Sequence, residues 1–113
     1  MNTRELIPAA PHRVRFSLSA RKHVPEVAGC YALAAFGDEI LYVGMAKNLQ
    51  RRLCQHCDDE TKRNRIRGTV VTWFYFVLCD EAELWRIERG WMNQYQERHV
   101  ELPPMNKVYS PIR

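Results

Sequence analysis

Gly29-Cys30-Tyr31-Ala32-Leu33-Ala34-Ala35-Phe36-Gly37-Asp38-Glu39-Ile40-Leu41-Tyr42-Val43-Gly44 is the stretch on which the reading of this chain turns. It holds two short near-mirror motifs, Gly29-Cys30-Tyr31 and Tyr42-Val43-Gly44, with Ala32 to Leu41 between them. Residues 32–36 and 39–43 are apolar or β-prone, and Gly37-Asp38 supplies a two-residue turn, so the segment reads as one tight hairpin. Such a hairpin returns Tyr31 and Tyr42 side by side on neighbouring strands. A glycine in a strand marks a place where something approaches the backbone closely. Adjacent phenols beside open backbone are either cross-strand packing or a site, and the rest of the chain has to decide.

On the N-terminal side, residues 1–28 read as an extension and residues 29–109 as the main domain. Within the extension Val14, Phe16 and Leu18 alternate with Arg13, Arg15 and Ser17, the pattern of a short edge strand or an ordered arm, and Pro25 then breaks the chain. On the C-terminal side, Lys47 to about His56 reads as a helix with Leu49 and Leu53 on its buried side. Residues 58–68 are highly charged and read as an exposed loop with one helical turn. Residues 70–79 are rich in β-branched and aromatic side chains and form the strongest strand signal. Asp80 and Glu83 have capping-box spacing, opening a helix that runs to about Arg98. Pro103-Pro104 end regular structure, and residues 105–109 read as a short extended tail. The sum is a small α+β domain, with three antiparallel strands and flanking helices.

Composition bounds what such a domain does. The chain has 113 residues, 46% hydrophobic and 11% aromatic, enough for a single folded core. Seventeen Lys and Arg against thirteen Asp and Glu give a net charge of +4, which favours a polyanionic partner. No apolar stretch approaches the roughly 18 residues that span a bilayer. Met1 to Ala10 lack a charged-then-apolar signal pattern, so a cytoplasmic protein with four reduced cysteines is expected.

Two helical constellations carry chemistry. Leu49, Arg52, Leu53 and His56 fall at i, i+3, i+4 and i+7 and share one helix face. Either Arg52 snorkels past the leucines and His56 is a satisfied core histidine, or the pair serves a site. In the later helix Leu84, Ile87, Trp91 and Tyr95 define an apolar stripe, and Glu88 falls near its middle. A charged carboxylate there costs several kcal/mol unless a cation or donor meets it. A distant arginine, a bend out to solvent, or a hard divalent cation would each compensate it.

Taken in order, Gly29-Cys30-Tyr31, Tyr42-Val43-Gly44, Lys47-Asn48-Leu49-Gln50-Arg51-Arg52-Leu53 with His56, and Glu88 resemble the GIY-YIG nuclease superfamily. The stretches 24–31 and 42–49 are most similar to the N-terminal nuclease domain of the bacterial excision-repair endonuclease. The resemblance implies the GIY-YIG fold and a divalent-metal-dependent endonuclease acting on DNA, with RNA also open. It implies that Tyr31 activates or positions the attacking water and that Tyr42 bonds within the site or to the scissile phosphate. Arg52 would steady phosphoryl charge, and His56 would shuttle a proton or bind phosphate. Glu88 would be the single ligand of Mg²⁺ or Mn²⁺, and Asn106 the late asparagine that buttresses the site. Met45 stands where the repair nuclease has a lysine, which removes a positive charge from the pocket. Cys30 replaces an Ile or Val. For Tyr31 to act as a base, its phenol, near 10 when unperturbed, must be lowered by the metal or by Arg52.

The competing signal is Cys54-Gln55-His56-Cys57, which suggests zinc but lacks a second Cys-x-x-Cys pair. Lys47 and Arg51 are expected to contact phosphates from the exposed side of the first helix. Lys62, Arg63, Arg65 and Arg67, with Arg13, Arg15, Arg21 and Lys22, would track a nucleic-acid backbone or form a solvated surface. No separate base-reading module is evident, so little sequence specificity is expected, with targeting left to DNA structure or a partner protein. The alternative is a catalytically silent nucleic-acid-binding module of the same fold.

Overall fold

In a computed structural model, which describes residues 1–106, four strands form one antiparallel sheet. In chain order the elements are β1 (His12–Arg15), β2 (Gly29–Ala34), β3 (Ile40–Ala46), α1 (Leu49–Cys57), α2 (Glu60–Arg63), β4 (Trp73–Leu78) and α3 (Glu81–His99). The strand order across the sheet is β1-β4-β2-β3. The expectation of three strands is therefore corrected to four. The added strand is β1, where Val14 turns inward and the Arg15–Trp73 to His12–Phe76 register joins it to β4. Leu18, expected to continue that strand, instead opens a 3₁₀ segment, Leu18–His23. The expected tail falls partly on residues 107–109, which lie outside the described residues.

The hairpin has the expected register away from its tip: Tyr31 faces Gly44 and Ala32 faces Val43. The tip differs. Asp38 N–H donates to Ala35 O at 2.8 Å and Asp38 takes the left-handed conformation at φ 73°, so the loop spans Phe36, Gly37 and Asp38. Leu33 pairs Tyr42 but Ala34 pairs Ile40, which leaves Leu41 as an extra residue on β3. That bulge turns Leu41 and Tyr42 toward the same core cluster. The carbonyl of Leu41 accepts from Met105 N at 2.8 Å, so Met105 covers the β3 edge.

The sheet has two filled faces. Tyr31, Leu33, Tyr42, Phe74 and Phe76 pack with Leu49 and Leu53 of α1 on one face. Cys30, Ala32, Ala34, Val43 and Tyr75 pack with Leu84, Ile87, Trp91 and Tyr95 of α3 on the other. Burial on both faces explains why β2 reads as a continuous apolar run, with every residue buried. α1 starts at a capped Asn48, whose side chain accepts from Arg51 N. Asp80 occupies the cap position of α3, but its side chain makes no cap bond. Glu83 instead accepts from Arg86, so the expected capping box is not formed. No helix among the described residues is long and apolar enough to cross a membrane.

Candidate functional site

Three of the singled-out side chains meet in a bonded chain on the α1 face of the sheet. The Tyr31 hydroxyl lies 2.6 Å from His56 Nε2, and Arg52 Nη1 donates to the same hydroxyl at 3.4 Å. Arg52 is oriented by further bonds to Met45 O at 3.2 Å and Gln55 Oε1 at 3.0 Å. The i, i+4 spacing of Arg52 and His56 on α1 places both over the hairpin. Arg52 donates to the phenol oxygen, and the imidazole tautomer sets which atom is the donor in the Tyr31–His56 bond.

Gly44 makes this arrangement possible. A Cβ at position 44 would lie 2.5 Å from Tyr31 Oη and 2.6 Å from Cζ, so the tyrosine crosses the strand in the space a side chain would fill. Gly29 serves packing in the same way, with a Cβ 2.4 Å from Val77 O and 2.5 Å from Leu49 Cδ1. What approaches the two glycines is therefore the protein itself. Tyr31 also stacks on Phe74 at 5.1 Å between centroids and lies 6.1 Å from the Tyr42 ring.

Burial dominates the electrostatics. Tyr31 is fully buried, and desolvation, aided by the Tyr42 phenol, pushes its pKa above the ordinary phenol value. Arg52 lowers it by less than burial raises it, so the lowering that a base would need is not supplied by the protein. His56 is lowered to about 3, first by burial and then by the neighbouring Lys62 and Arg52 charges. The imidazole is neutral at physiological pH.

A cavity of about 430 Å³ opens beside this group, lined by Tyr42, Gly44, Met45, Arg52, Gln55, His56, Asp59 and Lys62. A second, of about 350 Å³, shares Met45, Arg52 and Gln55 and adds Lys47, Asn48, Arg51 and Leu84. Lys47 and Arg51 are thus exposed cations on the wall of a hollow that Arg52 also lines. Lys62, expected to track a nucleic-acid backbone or to lie on a solvated surface, is 6% exposed and packs its ammonium on the Tyr42 ring at 4.7 Å. The sequence carries no signal for this beyond the short 60–63 helix, because the contact is tertiary. Arg63, Arg65 and Arg67 are exposed.

Asn106 pairs with both backbone groups of Val43, between Tyr42 and Gly44. Its Oδ1 accepts from Val43 N at 2.9 Å, and its Nδ2 donates to Val43 O at 3.0 Å. It thereby holds the outer edge of β3.

Glu88 lies on α3, whose apolar residues pack on the sheet face opposite Tyr31. It is 2% exposed. Its charge contributes to a Cys30 pKa that burial, above all, pushes up to about 12. Leu84, one helical turn earlier, reaches the wall of the smaller cavity. Among the described residues no group of three His, Cys, Asp or Glu could jointly hold a metal ion. One hard carboxylate is nevertheless the donor set that Mg²⁺ or Mn²⁺ accepts, taking its remaining ligands from water and phosphate oxygens. It does not suit zinc, which takes three or four protein ligands.

The model of one protein family, the GIY-YIG catalytic domain, matches residues 27–101 of the chain. The matched span contains the hairpin, α1 with Arg52 and His56, the Lys62 helix and Glu88, and it stops short of Asn106. The chain belongs to the GIY-YIG catalytic domain family.

Proposed function

We propose that the protein is a divalent-metal-dependent endonuclease that hydrolyses phosphodiester bonds in DNA, RNA being the second substrate class, with little sequence specificity of its own. The observation that carries this reading is the Arg52–Tyr31–His56 chain beside a cavity whose charged lining is two cations and one carboxylate. Family membership supplies a nuclease-type fold. The similarity of residues 24–31 and 42–49 to the excision-repair nuclease domain favours a role in DNA repair. Four free thiols suit a reducing cytoplasm.

Phosphodiester cleavage needs a placed water, a clamp for phosphoryl charge and help for the departing alkoxide. Arg52 provides the clamp, pre-oriented by Met45 O and Gln55. Tyr42, on the cavity wall, positions the attacking water or the phosphate. His56, neutral and hydrogen-bonded to the Tyr31 hydroxyl, shuttles a proton or binds phosphate. Tyr31 is then a positioning residue, since full burial and a raised phenol pKa suit it to orienting His56 and Arg52. Asn106 keeps the strand bearing Tyr42 in place. Glu88 would hold Mg²⁺ or Mn²⁺, which when bound supplies Lewis-acid stabilisation of the phosphoryl oxygens. Lys47 and Arg51 add phosphate contacts along the approach.

The second reading is a silent nucleic-acid-binding module, favoured by the uncharged Met45 on the wall of both cavities. Incubation of purified protein with supercoiled, single-stranded and branched DNA and with RNA, in Mg²⁺ or Mn²⁺ with and without chelator, separates the two. Cleavage that chelator and Glu88→Ala abolish is expected. Binding without cleavage of any of these substrates selects the silent module.

A further inference from the structure

We infer that Lys62 is a substrate-phosphate ligand of this cavity, held in reserve by Asp59 until a phosphate replaces that carboxylate. The inference rests on the nuclease reading only for the identity of the anion.

A lysine whose stem is buried keeps its ammonium toward water or an anion. The Lys62 side chain is only 8% exposed, and the one ion pair it makes among the described residues is to Asp59 Oδ2 at 3.6 Å. That distance is beyond a hydrogen bond, so the ammonium protons are not satisfied by the carboxylate. The other Asp59 oxygen is already committed, accepting from Thr61 N at 2.9 Å and Thr61 Oγ1 at 2.7 Å as the cap of α2. Tyr42 gives the ammonium a ring face, a weaker partner than an oxygen.

The lining sets which anion fits. Lys62 comes from α2 and Arg52 from α1, and both line the same cavity with neutral His56 and Tyr42. Two cations against Asp59 leave one positive charge uncompensated, in a hollow that admits a phosphate group. A phosphate oxygen at hydrogen-bond distance from Lys62 satisfies what Asp59 at 3.6 Å does not. Asp59 keeps its Thr61 bonds throughout, so releasing Lys62 does not uncap α2.

The test measures equilibrium binding to duplex DNA against salt concentration, together with the single-turnover cleavage rate and the melting temperature. Wild type is compared with Lys62→Gln, Lys62→Met, Lys62→Arg and Asp59→Asn. Lys62→Gln and Lys62→Met should each reduce the salt slope by about 0.9 and slow cleavage roughly 10–100-fold. Lys62→Met keeps the apolar packing on Tyr42, so a loss it shares with Lys62→Gln is not a folding defect. Lys62→Arg should restore most of the rate, and Asp59→Asn, which preserves the cap acceptor, should tighten binding a few-fold. Unchanged salt slopes in both neutral variants overturn the inference, whatever the cleavage result. A wild type that binds but never cleaves, with a reduced slope in the neutral variants, overturns the nuclease reading and leaves Lys62 as a phosphate ligand.

Discussion

Gly44→Ala is the smallest change that strikes the centre of the site. The added methyl would sit 2.5 Å from Tyr31 Oη, 2.6 Å from Cζ and 3.0 Å from Cε1. Real side-chain carbons do not approach so closely, and Tyr31 has nowhere to go. Its ring is stacked on Phe74, and its hydroxyl is bonded to His56. Overpacking a core costs about 1–3 kcal/mol. Pulling the hydroxyl away from His56 leaves a buried acceptor unpaired, for about 1–3 kcal/mol more. Backbone conformation adds nothing, because Gly44 is not left-handed. The expected loss is therefore roughly 2–6 kcal/mol, or more than about 1 M in the urea midpoint at an m-value of about 1–2 kcal/mol/M. Gly90→Ala is the control: a Cβ there meets nothing within 4 Å, and it lies inside α3, so it should stabilise by about 0.5–1 kcal/mol. Tyr31→Phe combined with Gly44→Ala should cost less than the sum of the two singles, since the His56 bond is lost only once. A Gly44→Ala loss below about 0.5 kcal/mol, or strict additivity with Tyr31→Phe, would refute the proposed packing.

His56 makes stability depend on pH. Its folded pKa of about 3 lies below the ordinary 6.5, so between those values the unfolded chain binds the extra proton and stability falls as pH falls. Wild type should lose up to about 1.4 kcal/mol per pH unit more than His56→Gln across that window, and the two should run parallel above pH 7. Equal slopes in chemical denaturation at pH 4 to 6 would contradict a neutral buried imidazole. Asn106→Ala removes both bonds to Val43 and should cost about 1–3 kcal/mol, with faster amide exchange at Val43 and the neighbouring strand residues. Unchanged protection at Val43 would show that the strand edge needs no asparagine.

Much of this fold was legible because its signals are local. The glycine-tyrosine motifs and the turn between them set the hairpin register correctly from Ala32 outward. The tip differs because Phe36 joins Gly37 and Asp38 in a three-residue loop, with Leu41 bulged on β3. Glu88 on an apolar stripe announced a buried carboxylate, and it is 2% exposed. The alternation around Val14 hinted at β1, but only pairing with β4 makes it a strand. Lys62 was illegible, since an exposed and a buried lysine look alike until Tyr42 is packed beside them. The capping box at Asp80 failed because Glu83 has Arg86 one turn away as a stronger partner.

If the Arg52–Tyr31–His56 group serves phosphodiester cleavage, Arg52→Ala will show it in single-turnover kinetics. With saturating protein and Mg²⁺ or Mn²⁺, Arg52→Ala should cut the cleavage rate by about 10²–10³ while nucleic-acid affinity falls far less. A variant that cleaves at the wild-type rate would contradict the account.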